Sequence, residues 1–137
     1  MLELRYCGNF NIGSGLGVAD LEKVLATYNF SFWFNGEAAW VVLRADDPAV
    51  ALVKTSGQVE LYGTSCGSDL TKELLRVLGV KEDLSNFYEL ASTDVLLSQF
   101  AKEFRGWKPR SVPLWWSLVV GVCQQNASFR QGRYNKL

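Results

Sequence analysis

Gln124, Gln125 and Asn126 stand side by side where the apolar run Leu114–Cys123 ends, and Arg130 and Arg133 follow them. A carboxamide donates and accepts on one flat edge. Three in a row can either cap the end of a helix or hold a flat polar group. Burying each without a partner would cost about 1–3 kcal/mol. Both readings, backbone capping and ligand contact, stay open on the residues alone. Little else in the chain offers chemistry. There is no histidine, which removes the commonest general base and most zinc sites together. Cys7, Cys66 and Cys123 have no CxxC spacing, so no metal and no cofactor are expected. They read as buried thiols of a cytoplasmic protein; a Cys7–Cys66 disulfide would require the strands bearing them to be neighbours. Gly13-Ser14-Gly15-Leu16-Gly17 lacks the lysine and hydroxyl of a phosphate-binding loop and is read as a connection.

The 137 residues are 48% hydrophobic and 20% charged, which suits one globular domain or a small domain with part of a second. No apolar run is long enough to span a bilayer, so no membrane contact is expected. All 14 Asp and Glu residues lie before residue 105, whereas residues 105–137 carry Arg105, Lys108, Arg110, Arg130, Arg133 and Lys136 and no acid. Any polyanion contact is therefore expected at this end, unless the cluster is only a solvated face.

The elements that would position the amides can be read in order. Leu2–Tyr6 predicts a strand, and Val18–Thr27 a short amphipathic helix through Leu21, Val24 and Leu25. Phe30, Phe32 and Phe34 alternate up to Asn35-Gly36, which predicts a type I′ hairpin into Trp40–Leu43. Val50–Lys54 and Val59–Tyr62 make a second hairpin. The aromatics of these strands are expected in the core, and no convergent polar set beside them suggests a ligand pocket. From Asp69 the period becomes helical: Leu70, Leu74, Val77 and Leu78, closed by Gly79. A short helix over about Ser85–Ala91 follows, then one capped by Thr93 with Leu96, Leu97, Phe100 and Phe104 on one face. Pro113 suits the first turn of the last helix. Leu114–Cys123 is apolar on nearly every side, which predicts full burial, with Gly121 admitting a close neighbour. The fold class is thus α+β: an antiparallel sheet with flanking helices in residues 1–80, then helices only in 81–137.

Residues 69–130 resemble the helix-hairpin-helix DNA glycosylases, in the branch that contains the 8-oxoguanine and 3-methyladenine enzymes. The segments that carry the likeness are L-L-R-V-L-G-V, D-L-S-N-F-Y-E-L, L-L-S-Q-F-A-K-E-F-R-G-W-K-P-R and P-L-W-W-S-L-V-V-G-V-C-Q-Q-N-A-S. Upstream, S-F-W-F, N-G and W-V-V-L, with Phe32 and Trp40, are similar to strands of that branch's N-terminal domain, itself similar to half of a TATA-binding protein. The resemblance implies a damaged purine flipped out of double-stranded DNA before its N-glycosidic bond is hydrolysed. It places Asn126 as the wedge that fills the gap, Gln124 and Gln125 as its support, and Arg130 and Arg133 near backbone phosphate. No residue matches the family's hairpin lysine or downstream aspartate, so no catalytic residue is assigned. The expectation is a monomeric N-terminal portion, inactive alone. The alternative is a non-enzymatic α+β binding module.

Overall fold

The computed structural model describes residues 3–13, 20–27, 32–108 and 111–125. Five strands, β1 (Arg5–Asn11), β2 (Phe32–Phe34), β3 (Ala38–Arg44), β4 (Ala49–Lys54) and β5 (Gln58–Gly63), form one sheet in the order β1-β5-β4-β3-β2. Every pairing is antiparallel. The helices are α1 (Leu21–Ala26), α2 (Leu70–Val77), α3 (Ser85–Thr93), α4 (Val95–Glu103) and α5 (Leu114–Gln124). The α+β expectation is met.

Strand alternation sends one set of side chains to each face. Ala39, Val41 and Leu43, then Ala49, Ala51 and Val53, then Val59 and Leu61 face inward and are buried. They form one core with Leu21, Val24 and Leu25 of α1 and Leu70, Leu74, Val77 and Leu78 around α2. Asp20 caps α1 by accepting the Lys23 N–H at 3.2 Å. The chain leaves α2 through a left-handed Gly79 (φ 67°). There the Val80 N–H reaches the Leu75 carbonyl and the Gly79 N–H the Arg76 carbonyl, both at 3.1 Å. That paired pattern satisfies the last carbonyls of the helix.

Several local expectations are corrected. The first strand is Arg5–Asn11 rather than Leu2–Tyr6, because pairing with β5 along Arg5↔Gly63 to Asn11↔Gln58, not weak local alternation, decides its extent. The β2–β3 turn is not the expected type I′ form. Asn35 Oδ1 accepts the N–H groups of Glu37 (3.0 Å) and Ala38 (2.8 Å), and Gly36 supplies the positive φ of 101°. Side-chain capping by Asn35 thus replaces its service as a central turn residue. The cap of α4 is Asp94, whose Oδ1 accepts from Leu96 and Leu97 at 2.9 Å. A carboxylate suits a helix start better than a hydroxyl; Thr93 instead ends α3, donating to the Leu90 carbonyl at 2.8 Å.

The thiol expectation is also overturned for two cysteines. β1 and β5 are neighbours, and Cys7 forms a disulfide with Cys66, just after β5, at a Cα–Cα distance of 5.1 Å. Only Cys123 is a free cysteine. Next to Cys66, Asp47 accepts hydrogen bonds from Ser65 and Thr64. These bonds, that from Ser65 first, hold its carboxyl below the usual range, with Arg44 adding attraction. A carboxyl depressed on folding stabilises above its unfolded pKa, about 3.9, and the contribution is lost as pH falls through the lower folded value. Asp47→Asn should therefore flatten the fall in urea midpoint below about pH 4. An unchanged slope would refute a role for Asp47 in the acid limb.

Candidate nucleic-acid interface

The amide-bearing helix is held by its approach segment rather than by its length. The Asp20 N–H donates to the Gly106 carbonyl at 2.8 Å, and Trp107 Nε1 donates to Thr27 Oγ1 at 2.7 Å. Lys108 is buried and its ammonium donates to the Glu82 carbonyl. Nearby, hydrogen bonds from Ser85 hold the Asp83 carboxyl below its ordinary value, and the Lys108 charge lowers it further. Ser111 then pins the chain to the end of α2. Its N–H meets the Val77 carbonyl at 3.1 Å, its hydroxyl donates to the Arg76 carbonyl at 3.1 Å, and it accepts from Arg76 at 3.2 Å. In the sequence Lys108 stands out only as a member of the basic cluster, and Trp107 carries no signal of its own. These two side chains are the anchors that fix where α5 begins.

α5 itself is not buried all round. Val120 is buried, and Trp116, Val119 and Cys123 are half-buried on the same side. Leu114, Trp115, Leu118 and Val122 are exposed. Periodicity cannot tell a helix that is covered from one whose cover lies elsewhere. Gly121 has nothing within 4 Å of the position a Cβ would take, so among the described residues no helix approaches it. The face expected on α4 is open as well: Leu96, Phe100 and Phe104 are exposed, and the two phenyl rings stack on each other at 4.7 Å. The Trp116 indole N–H is buried with no hydrogen-bond partner among the described residues.

Gln124 is the last residue of α5 and half-buried; Gln125 follows as its exposed C-cap. The Gln125 backbone N–H donates to the Val122 carbonyl at 3.2 Å, and its φ of −63° and ψ of 118° turn the chain out of the helix. Neither glutamine side chain makes a hydrogen bond among the described residues, so the capping reading gains no support from them. Asn126, Arg130 and Arg133 lie outside the described residues.

The basic end is smaller than its composition suggests. Arg105 lies over the Tyr88 ring, 5.7 Å from its centroid, and Lys108 is turned inward. The helix contributes partial negative charge at its C-terminal end, and its last turn carries no basic residue. Among the described residues, exposed Arg105 is the basic side chain that residues 105–125 leave at the surface.

No family profile and no curated protein sequence match the chain. Among solved structures it is similar to the 3-methyladenine DNA-glycosylase from Archaeoglobus fulgidus, with a TM-score of 0.62 and 12% sequence identity. The match covers 92% of this chain and 47% of that one. The chain thus has a DNA-glycosylase-like α+β fold and spans about half the length of the protein it matches.

Proposed function

We propose that this chain acts as the N-terminal part of a DNA-repair glycosylase that flips damaged purines out of double-stranded DNA. The observation that carries the reading is the glycosylase-like fold with an anchored helix, α5, whose Gln124 and Gln125 side chains make no hydrogen bond among the described residues. The matched structure is a 3-methyladenine DNA-glycosylase, which supports alkylated purines within a proposed substrate class that also includes 8-oxoguanine. In this reading Asn126 enters the space left by the flipped nucleotide, filling it and hydrogen-bonding the orphaned base. Gln124 and Gln125 brace that insertion or touch base edges. Arg130 and Arg133 neutralise phosphates. Residues 1–80 form the buttress, and residues 81–137 begin the helical domain that presents the wedge.

The open flank of α4 and α5 fits the same reading. Side chains such as Leu96, Leu114 and Leu118 would be covered by further helices of the complete enzyme.

Binding to a duplex with a stable abasic-site analogue, compared with an intact duplex at low salt, tests the proposal. An abasic gap is the structure a wedge fills. The wild-type chain should prefer the gapped duplex. Asn126→Ala should remove that preference, on the order of tenfold, while leaving weak binding to intact DNA. Arg130→Gln and Arg133→Gln should weaken binding to both duplexes and reduce the salt slope by about 0.9 per lost contact. Equal affinity of the wild-type chain for the two duplexes would overturn the assignment.

A further inference from the structure

β1 consists of two half-strands joined at an irregularity. Arg5 and Tyr6 pair with Gly63 and Tyr62; the register then shifts, and Gly8 to Asn11 pair with Leu61 to Gln58. The two halves are held very differently. After the shift, Phe10 packs against the core, and buried Ile12 follows, its N–H donating to the Gly57 carbonyl at 2.9 Å. Before the shift, Leu4, Arg5 and Tyr6 are all exposed. The noncovalent ties of that half are two register pairs, an edge-on contact of the Tyr6 and Tyr62 rings at 5.7 Å, and a hydrogen bond from Asn9 to the Tyr6 hydroxyl at 2.6 Å. The same outer face carries Trp33 and Trp40, 47% and 42% exposed, which corrects the expectation that the strand aromatics are core. A half-strand with no buried side chain belongs to the low-stability end of a fold. Gly8 marks the joint. Its φ is 134°, and a Cβ there would meet nothing within 4 Å. A glycine at such a φ lets the chain pivot without disturbing the packed half.

The Cys7–Cys66 bridge is what fixes the outer half. Cys7 occupies the position that the register skips. It is half-buried, whereas Cys66 is exposed within the exposed run Ser65–Ser68. Upstream, that run is tied to Asp47 through Thr64 and Ser65. Downstream, Gly67 and Ser68 make no hydrogen bond among the described residues. An exposed disulfide is labile because a thiolate can reach it without prior unfolding. Both sulfurs also have acceptors in place. The Arg5 carbonyl lies 3.4 Å from Cys7 Sγ, and the Tyr6 carbonyl 3.9 Å from Cys66 Sγ. The reduced thiols thus have partners, but an S–H group is a weak donor and replaces little of a covalent tie.

We propose that the Cys7–Cys66 bridge is a redox-sensitive latch, which a dithiol opens in the native protein to release the N-terminal half of β1 about Gly8. One thiolate of the dithiol attacks Cys66 Sγ, and the electron pair of the S–S bond leaves on Cys7. The second thiolate attacks the dithiol's own sulfur in the mixed disulfide, and the electron pair of that bond leaves on Cys66. The dithiol is oxidised by two electrons to a cyclic disulfide, and its two protons end on Cys7 and Cys66. The backbone groups of Tyr62 and Gly63 that faced the half-strand then open to solvent.

The test treats the intact chain with dithiothreitol in the absence and presence of urea. Iodoacetamide trapping with mass spectrometry follows the bridge; amide hydrogen exchange and NMR follow the strand. The bridge should open at a rate that stays constant as urea is raised below the unfolding transition. After reduction, amides of residues 5–7 should exchange faster by on the order of tenfold, and the nuclear Overhauser contacts between the Tyr6 and Tyr62 rings should vanish. β3 and β4 should keep their protection. Reoxidation with a small disulfide should restore the contacts. Cys7→Ser/Cys66→Ser should show the released state without reductant; should it fail to fold, the reduced wild-type chain carries the same readouts. Any of three results would overturn the proposal: opening that rises with urea in proportion to global unfolding, unchanged exchange and ring contacts after reduction, or loss of protection in β3 and β4 together with residues 5–7.

Discussion

Reducing the Cys7–Cys66 disulfide is expected to lower the unfolding free energy by about 4 kcal/mol. The bridge joins residues separated by 59 positions. Closing a loop of that length removes much of the unfolded chain's freedom, and the chain-entropy estimate for it is about 4.3 kcal/mol. Its position makes the effect visible in the folded state as well. Cys7 sits at the register shift of β1, an edge strand held on one side by β5 alone. Cys66 lies in the linker that Asp47 also grips through Thr64 and Ser65. Loss of the bridge should therefore free β1 and the start of the linker before the core itself melts. The paired variant Cys7→Ser/Cys66→Ser, measured by urea unfolding, should show the full decrease and a melting temperature lower by on the order of 10 °C. Cys123→Ser should change little, and a reductant should have no further effect on the paired variant. A decrease below about 1 kcal/mol would mean that the bridge does not hold the native state together.

Leu74→Ala and Leu118→Ala should differ sharply although both remove the same atoms from a helix. Leu74 is fully buried between α2 and the sheet (0% exposed), whereas Leu118 on α5 is 53% exposed. Truncating a fully buried leucine costs about 2.7–5 kcal/mol, through lost transfer energy and the cavity left behind. At Leu118 little cavity can form, and the change should stay within about 0.5 kcal/mol. Urea midpoints of the two variants of this chain, compared with wild type, measure the difference. A cost above about 2 kcal/mol at Leu118 would show that α5 is covered in solution, by self-association or by residues beyond Gln125. Repeating the measurement over a range of protein concentrations separates those two causes.

The sequence by itself determined the order and type of most elements, because those depend on local periodicity. Apolar, β-branched runs at Val41–Leu43 and Val50–Val53 mark strands. Leu70, Leu74 and Val77 mark a helix, and Gly79 ends it because a left-handed residue is needed there. The sequence also exposed the unusual amide end at Gln124 and Gln125. Tertiary structure decided everything that depends on which surfaces meet. It showed that β1 lies beside β5, which brings Cys7 to Cys66 across 59 residues, a proximity no spacing rule contains. It turned Trp33 and Trp40 outward although their strand signal is the same as that of inward Phe34. A period of two separates the two faces of a strand but does not say which one is covered. It also left α5 half-bare. An all-apolar helix reports a demand for neighbours, while the neighbours themselves are fixed only by packing. Lys108 shows the reverse case: composition placed it on a basic surface, and a single backbone carbonyl at Glu82 drew it inside. Gln124 and Gln125 are thus set at the end of a helix anchored by Trp107, Lys108 and Ser111, a position that long-range hydrogen bonds determine and local sequence does not.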